Sequence, residues 1–171
     1  MPFTPFHFGV GAALKPALGR RFSFAVFVFS QVLIDLEPAA RMLLDREPLH
    51  PYLHTYVGAT FVALVSGSLG RPICEWALRA WNRRLSPGQA RWLAVETSIS
   101  PAAAWSAALV GAYSHVALDS IMHADMRPWA PFAGGNALLG LMSISGLHLL
   151  CTLLGVVGIA ALLLLRRRER S

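Results

Sequence analysis

The chain alternates between long apolar runs and short stretches that contain most of its charged residues. Apolar runs cover residues 22–34, 52–69, 101–110 and 138–165. Because a helix of about 20 apolar residues spans the hydrocarbon core of a bilayer, the runs that approach or exceed this length indicate membrane helices. The pattern therefore predicts an all-α fold, a polytopic membrane helix bundle of about four to five short membrane helices and one or two interfacial helices.

Residues 1–171 are predicted to form a single integral membrane domain. Its parts are a helical hairpin at 7–35, membrane helices at 52–69, 101–124 and 138–165, and a basic cytoplasmic interfacial region at 72–97. The segment Gly70-Arg-Pro72 is predicted to end the helix at 52–69. Residues Ala39–Leu44 are predicted to form a short surface helix. Trp and Arg residues together at 72–97 are typical of a membrane edge.

Composition supports a membrane protein and argues against several other classes. Hydrophobic residues make up 55% of the chain and charged residues only 14%, against about 25% charged in soluble domains. The net charge of +6 lies at the ends of apolar runs, so no nucleic-acid partner is expected. Cys74 and Cys151 are isolated and indicate neither a disulfide framework nor a metal site.

Charges are distributed unequally between the two ends of the predicted helices. One end has twelve bases and three acids, whereas the other has three bases and six acids. The positive-inside rule places the basic end, and with it the C-terminus, in the cytoplasm. All six histidines are predicted near the opposite, outer end. At 1.5 Å per residue, His7 and Asp35 both lie about 20 Å above the basic turn at residues 19–21, as neighbours in the hairpin.

Histidines and carboxylates in this pattern suggest a metal site. His115, Asp119 and His123 follow one another at intervals of four, which places them on one face of a helix. Nitrogen and oxygen ligands suit a divalent ion such as zinc. The candidate ligands are His7, Asp35, His50, His54, His115 and Asp119. Since this set exceeds the needs of one tetrahedral zinc, either two ions bind or some members orient the others, and Glu37, His123 and His148 are further candidates for such positions.

A metal with an open coordination position activates water, and the chemistry that follows is hydrolysis. Glu37 and His123 are the candidate proton-transfer residues, because each lies a short step along the chain from a ligand. The motifs G-x-S-x-G and H-E-x-x-H are absent. Two alternatives remain open: a non-catalytic metal-binding or structural accessory protein, and a transporter, although the inverted repeats common in transporters are not visible.

Four blocks of this chain resemble the YdjM/YbcI family of inner-membrane, metal-dependent hydrolases. They are Pro5-Phe-His7-Phe-Gly-Val-Gly11, Leu33-Ile-Asp35-Leu-Glu37, His50 to Tyr56, and Gly111 to Asp119 with the following Pro131-Phe132. The resemblance implies a bacterial inner membrane, one or two zinc-like ions, and an ester or phosphoester substrate that is free or linked to membrane lipid.

This chain departs from the family pattern in two blocks. Glu37-Pro38 replaces the end of the usual D-x-D-H, and the His50 block is shorter than the usual H-R-G-x-T-H-S. The second departure weakens the assignment of His50 more than that of His54. The order His, Asp, His, H-x-x-x-D is also similar to that of the zinc phospholipase C and nuclease superfamily, which implies phosphoester cleavage.

Overall fold

A computed structural model describes residues 5–168, and every regular element in this part of the chain is helical. The predicted all-α class is confirmed. The longer helices are α1 (Phe8–Leu18), α2 (Phe24–Leu43), α3 (Tyr56–Val65), α4 (Arg71–Arg83), α5 (Pro87–Leu93), α6 (Pro101–Met122) and α7 (Ile144–Arg168), with short 3-10 turns at Pro5–His7 and Gly19–Arg21 and a π-helical turn at Ser66–Gly70.

Helix α6 is the central element, and its small residues make that position possible. It begins where the Ser100 hydroxyl accepts a hydrogen bond from the Ala103 amide at 3.2 Å, just ahead of Pro101 in the first turn, where proline is tolerated. Residues at intervals of four form one buried stripe, in chain order Ala103, Ala107, Gly111, His115 and Asp119. The alanines and glycine let α2 and α3 approach closely, so the polar end of the stripe is buried as well.

Helix α2 runs parallel to α6 and is held against it by polar contacts. The Ser23 amide donates to the Ala103 carbonyl at 3.2 Å near the start of both helices. About two turns further along both helices, Gly111 faces Ser30 and Phe27, and any Cβ there would overlap the Ser30 hydroxyl. This parallel register brings the later part of α2, including Asp35, beside the later part of α6.

Helices α1 and α7 form a closely packed pair beside α2 and α6. Gly9 lies against the backbone of Cys151, and Gly158 lies against the backbone of Ala12. A side chain at either glycine would separate the helices, so the two contacts require residues without a Cβ. The opposite side of α7 is exposed and apolar, for example at Leu153 and Val157.

The predicted break at residues 70–72 is wrong, because α3 and α4 form one helical run. The π-helical turn Ser66–Gly70 joins them, and the Ser68 hydroxyl donates to the Leu64 carbonyl at 2.6 Å. Proline removes one backbone donor and displaces the carbonyl one turn before it. A wider turn immediately before Pro72 removes both conflicts, so the helix continues through it.

The predicted surface helix at 39–44 is likewise not separate. Helix α2 continues past Asp35 to Leu43, with Pro38 inside it and buried. This extension positions Glu37, two residues after Asp35, close to the loop that precedes α3. The loop residues 44–55 then turn back across the end of the bundle.

Two helical runs in residues 5–168 are long and apolar enough to cross a membrane: Tyr56–Arg83 and Ile144–Leu165. This is fewer than the predicted four to five. In the hairpin, α1 has only 11 residues, and both α2 and α6 contain buried polar residues such as Gln31, Asp35 and His115. The predicted span at 101–124 nevertheless corresponds to a real helix, α6. The C-terminal residues 169–171 lie outside the described part.

Candidate metal centre

Four buried side chains from three parts of the fold meet at the end of α6. Asp35 comes from α2, His54 from the loop before α3, and His115 and Asp119 from α6. One ligand atom from each lies within 4.8 Å of all the others. None of the four is more than 6% exposed. We call this set the inner group.

The two imidazoles of the inner group direct the same nitrogen at the two carboxylates. His115 Nε2 lies 3.3 Å from Asp35 Oδ1 and 3.2 Å from Asp119 Oδ2. His54 Nε2 lies 3.8 Å from Asp35 Oδ1 and 3.5 Å from Asp119 Oδ2. Two nitrogens and two carboxylate oxygens therefore surround one small volume, a donor set typical of zinc sites.

Gln31 fixes the tautomer of His115. Its Nε2 donates to the Gly111 carbonyl at 2.9 Å, which turns its Oε1 towards His115 Nδ1, 2.7 Å away. Because an amide oxygen only accepts, Nδ1 must be the donor. In a neutral ring, Nε2 then has a free lone pair that points at Asp35 and Asp119. A lone pair facing two carboxylates is repulsive unless a cation or a proton lies between them.

Glu37 contacts the Nδ1 atom of His54, as Gln31 contacts that of His115. Its carboxylate accepts hydrogen bonds from the Leu53 amide at 2.7 Å and the Tyr52 amide at 3.0 Å, and it lies 3.5 Å from His54 Nδ1. A carboxylate paired with the outer nitrogen of a metal-binding histidine is a common arrangement, because it orients the ring and increases its basicity. The extension of α2 to Leu43 makes this contact possible.

His7 extends the cluster on the side of α1. Its Nε2 lies 3.4 Å from Asp119 Oδ1, while the other oxygen of Asp119 faces His54 and His115. The His7 and His115 rings meet edge to face with centroids 4.9 Å apart. Asp119 thus faces His7 with one oxygen and the inner imidazoles with the other.

Several polar atoms in this cluster are buried without a hydrogen-bond partner among the described residues. They are both ring nitrogens of His7, Nε2 of His54, Nε2 of His115 and Oδ1 of Asp119. An unsatisfied buried polar atom costs about 1–3 kcal/mol. Concentrating several of them in one place is costly unless a cation joins them, so the residues present fit a divalent metal ion.

A second group lies towards the protein surface and consists of His50, His123 and Asp125. We call it the outer group. Asp125 accepts from His50 Nδ1 at 2.9 Å and from the backbone amides of Leu49 and His50 at 2.9 and 3.2 Å. Burial raises the pKa of Asp125, but the hydrogen bonds from His50 and the two amides outweigh it and hold this pKa below its usual value.

The two groups are contiguous, and the outer one opens to a cavity. The His50 ring contacts the His54 ring at a centroid distance of 4.6 Å and the His123 ring at 4.4 Å. A cavity of about 300 Å³ adjoins the outer group and is also lined by Pro38 and Glu47. The cavity therefore adjoins the outer group, and His50 lies between the cavity and the inner group.

The structure places the predicted site residues in distinct positions. Asp35, His54, His115 and Asp119 form the inner group with His7 beside it, His50 and His123 belong to the outer group, and Glu37 lies behind His54. His148 instead stacks on Phe6 at a centroid distance of 4.3 Å. Sequence analysis missed Gln31, although an amide one helical turn before Asp35 in an apolar run is a signal that could have revealed it.

Replacement of Gln31 tests the orientation of His115. In Gln31→Leu the Nδ1 donor loses its acceptor, so we expect metal affinity to fall about 10- to 100-fold. Gln31→Glu keeps an acceptor for Nδ1 but loses the amide donor that bonds the Gly111 carbonyl, so its affinity should fall less than that of Gln31→Leu. Affinity for Co²⁺ or Zn²⁺ is measured by competition with a chelator. Equal affinities for the leucine and glutamate variants would contradict this role of Gln31.

The chain matches a family model along its entire length, residues 1–171. That family is described as a domain of unknown function, DUF4184. No curated protein and no solved structure matches the chain. Since the match includes every residue of the inner and outer groups, the whole site lies within the family domain. The chain therefore belongs to the DUF4184 family.

Proposed function

We propose that this protein is a metal-dependent hydrolase of a bacterial inner membrane that cleaves an ester or phosphoester bond. The observation that carries the proposal is the inner group, in which two imidazole nitrogens of fixed orientation face two carboxylates in a buried space. The resemblance of four sequence blocks to the YdjM/YbcI family supports the same class of reaction.

Zinc is the ion that this donor set favours, because imidazole and carboxylate ligands in a four-membered set suit its tetrahedral coordination. Asp35, His54, His115 and Asp119 would hold the first ion. His7 and the second oxygen of Asp119 would hold a further one. When bound, such an ion polarises an ester or phosphoryl oxygen and lowers the pKa of water.

The residues around the inner group divide into positioning and proton-transfer roles. Glu37 contacts the outer nitrogen of His54 and two backbone amides, which favours a positioning role over the proton transfer expected from sequence. His123 lines the cavity and contacts His50. It therefore remains the candidate for moving a proton to or from a substrate that enters there.

We further propose that the hairpin and α6 lie in the membrane together with the two longer helical runs. The exposed apolar side of α7 supports this arrangement. So does the charge distribution along the sequence, which predicts twelve bases and three acids at the end opposite the histidines. The basic end, including the C-terminus, then faces the cytoplasm, and the site opens towards the outer face.

One observation favours a second candidate, a non-catalytic metal-binding or accessory membrane protein. All four residues of the inner group are almost completely buried, and structural zinc sites are closed by four protein ligands. The cavity beside the outer group favours the hydrolase over this second candidate, because a substrate in the cavity would lie close to the inner group.

Removal of a ligand tests metal binding. His115→Ala and Asp119→Ala should lose the bound ion, because each removes an atom that faces the centre of the inner group. His148→Ala is the matched control and should keep it, since His148 stacks on Phe6 instead. Elemental analysis of protein purified without chelator gives the metal content. The proposal fails if the unaltered protein carries no transition metal.

Turnover separates the two candidate functions. On a panel of lipid and soluble esters and phosphoesters, His123→Ala should retain the metal and lose about 10²- to 10⁴-fold in rate, the usual contribution of a general acid or base. His148→Ala again serves as the control. A chelator should abolish hydrolysis, and added Zn²⁺ should restore it. Activity that persists after complete metal removal would contradict the mechanism.

The orientation in the membrane is tested by labelling single cysteines. With Cys74 and Cys151 replaced by serine, Asp45→Cys reports on the loop at residues 44–55, and Ser171→Cys reports on the C-terminus. We expect an impermeant maleimide to reach Asp45→Cys from the outer face of intact cells, whereas Ser171→Cys reacts only after permeabilisation. Labelling of both positions from one side would overturn the assignment.

A further inference from the structure

A large groove separates the α1–α7 pair from the rest of the bundle. Its volume is about 1140 Å³, which makes it much larger than the cavity beside the outer group. One wall is formed by α1 and α7, and the other by the start of α2, part of α4 and residues 94–103. It runs along the helices from Phe6, near the histidine end, to Arg20 at the basic end.

The basic end of this groove differs in chemistry from the rest of it. Much of the groove is lined by apolar side chains, which include Phe8, Ala12, Leu78, Ile159 and Leu162. Its basic end is lined by three cations and one carboxylate, namely Lys15, Arg20, Arg71 and Glu96. Arg20 pairs with Glu96 and Arg71 pairs with Glu75, so Lys15 is the lining cation without a direct carboxylate partner among the described residues. An apolar channel that ends beside such a cation is complementary to an amphiphile with an anionic head.

Lys15 is the cation that makes this end unusual. Its ammonium donates to the backbone carbonyls of Gly19 and Phe22, both at 2.7 Å. No carboxylate bonds to it within residues 5–168, since Glu96 pairs with Arg20 at 2.6 Å. An ammonium has three donors, so one donor of Lys15 remains available to a ligand in the groove, while Glu96 acts on its charge through space without a direct contact.

We propose that the groove binds an anionic glycerophospholipid of the surrounding bilayer. Its phosphate would contact Lys15 and Arg20, and an acyl chain would follow the apolar walls towards Phe6. Basic pockets between membrane helices on the cytoplasmic side are typical sites for anionic lipid heads. The inference rests on the proposed membrane location of the chain and is independent of the hydrolytic chemistry.

Retention of lipid by the full-length protein tests the proposal. The protein is purified in mild detergent containing equal amounts of phosphatidylglycerol and phosphatidylcholine, and bound lipid is counted by native mass spectrometry. We expect phosphatidylglycerol to be retained preferentially. Arg20→Gln and Lys15→Gln should each weaken its retention about fivefold, the contribution of one basic residue at an anionic lipid surface.

Two further variants separate charge from shape. Arg83→Gln removes an exposed arginine of α4 that does not line the groove and should leave retention unchanged. Ala25→Phe keeps the charge but narrows the groove, and it should reduce bound lipid of both kinds. Arg20 is exposed and lies at the surface, so Arg20→Gln should fold even if Lys15→Gln does not.

Three results would overturn the proposal: equal retention of the two lipids, no effect of Arg20→Gln, or no effect of Ala25→Phe. Metal content is measured on the same samples. Protein that lacks metal but retains phosphatidylglycerol would contradict the proposed hydrolase while supporting the lipid site. Protein that binds metal but shows no lipid preference would contradict the lipid site alone.

Discussion

The fold depends on one constraint: two imidazoles and two carboxylates face each other in a buried space at the end of α6. Asp35 and Asp119 are both buried beside histidine nitrogens, with His115 Nε2 within 3.3 Å of each carboxylate. Removing one member of a buried charged pair costs about 3–5 kcal/mol, because the remaining charge has no partner. The elements that supply these residues must therefore keep their relative positions.

The surrounding polar groups meet this requirement by anchoring each ligand to backbone. His115 is tied through Gln31 to the Gly111 carbonyl. His54 is tied through Glu37 to the amides of Tyr52 and Leu53. On the outer side, Asp125 holds the amides of Leu49 and His50. The loop at residues 44–55 therefore has its conformation fixed by the same carboxylates that orient the histidines.

The remainder of the bundle serves a different purpose, which is to bring these groups together in an apolar environment. Small residues on α6 allow α2 to lie close and parallel to it. Glycines on α1 and α7 allow those helices to pair closely, at the cost of leaving a groove between the pair and α2. The polar end and the basic end of the bundle are thus separated by a middle region whose side chains are mostly apolar.

Sequence alone determined the helical class and much of the inner group, because both depend on local periodicity. The spacing of His115 and Asp119 places them on one face of α6 whatever surrounds it. Other features required tertiary structure. Pro38 and Pro72 suggested helix ends, but packing of α2 and a π-helical turn before Pro72 let the helices continue.

The roles of individual polar residues were decided only when helices distant in sequence came together. Gln31 and His115 are 84 residues apart, and Asp125 and His50 are 75 apart. Glu37 became a partner of His54 because α2 extends about two turns further, to Leu43, than its sequence pattern indicated. A hydrogen bond is set by distance and direction between two groups, and sequence spacing fixes these only within a single helix.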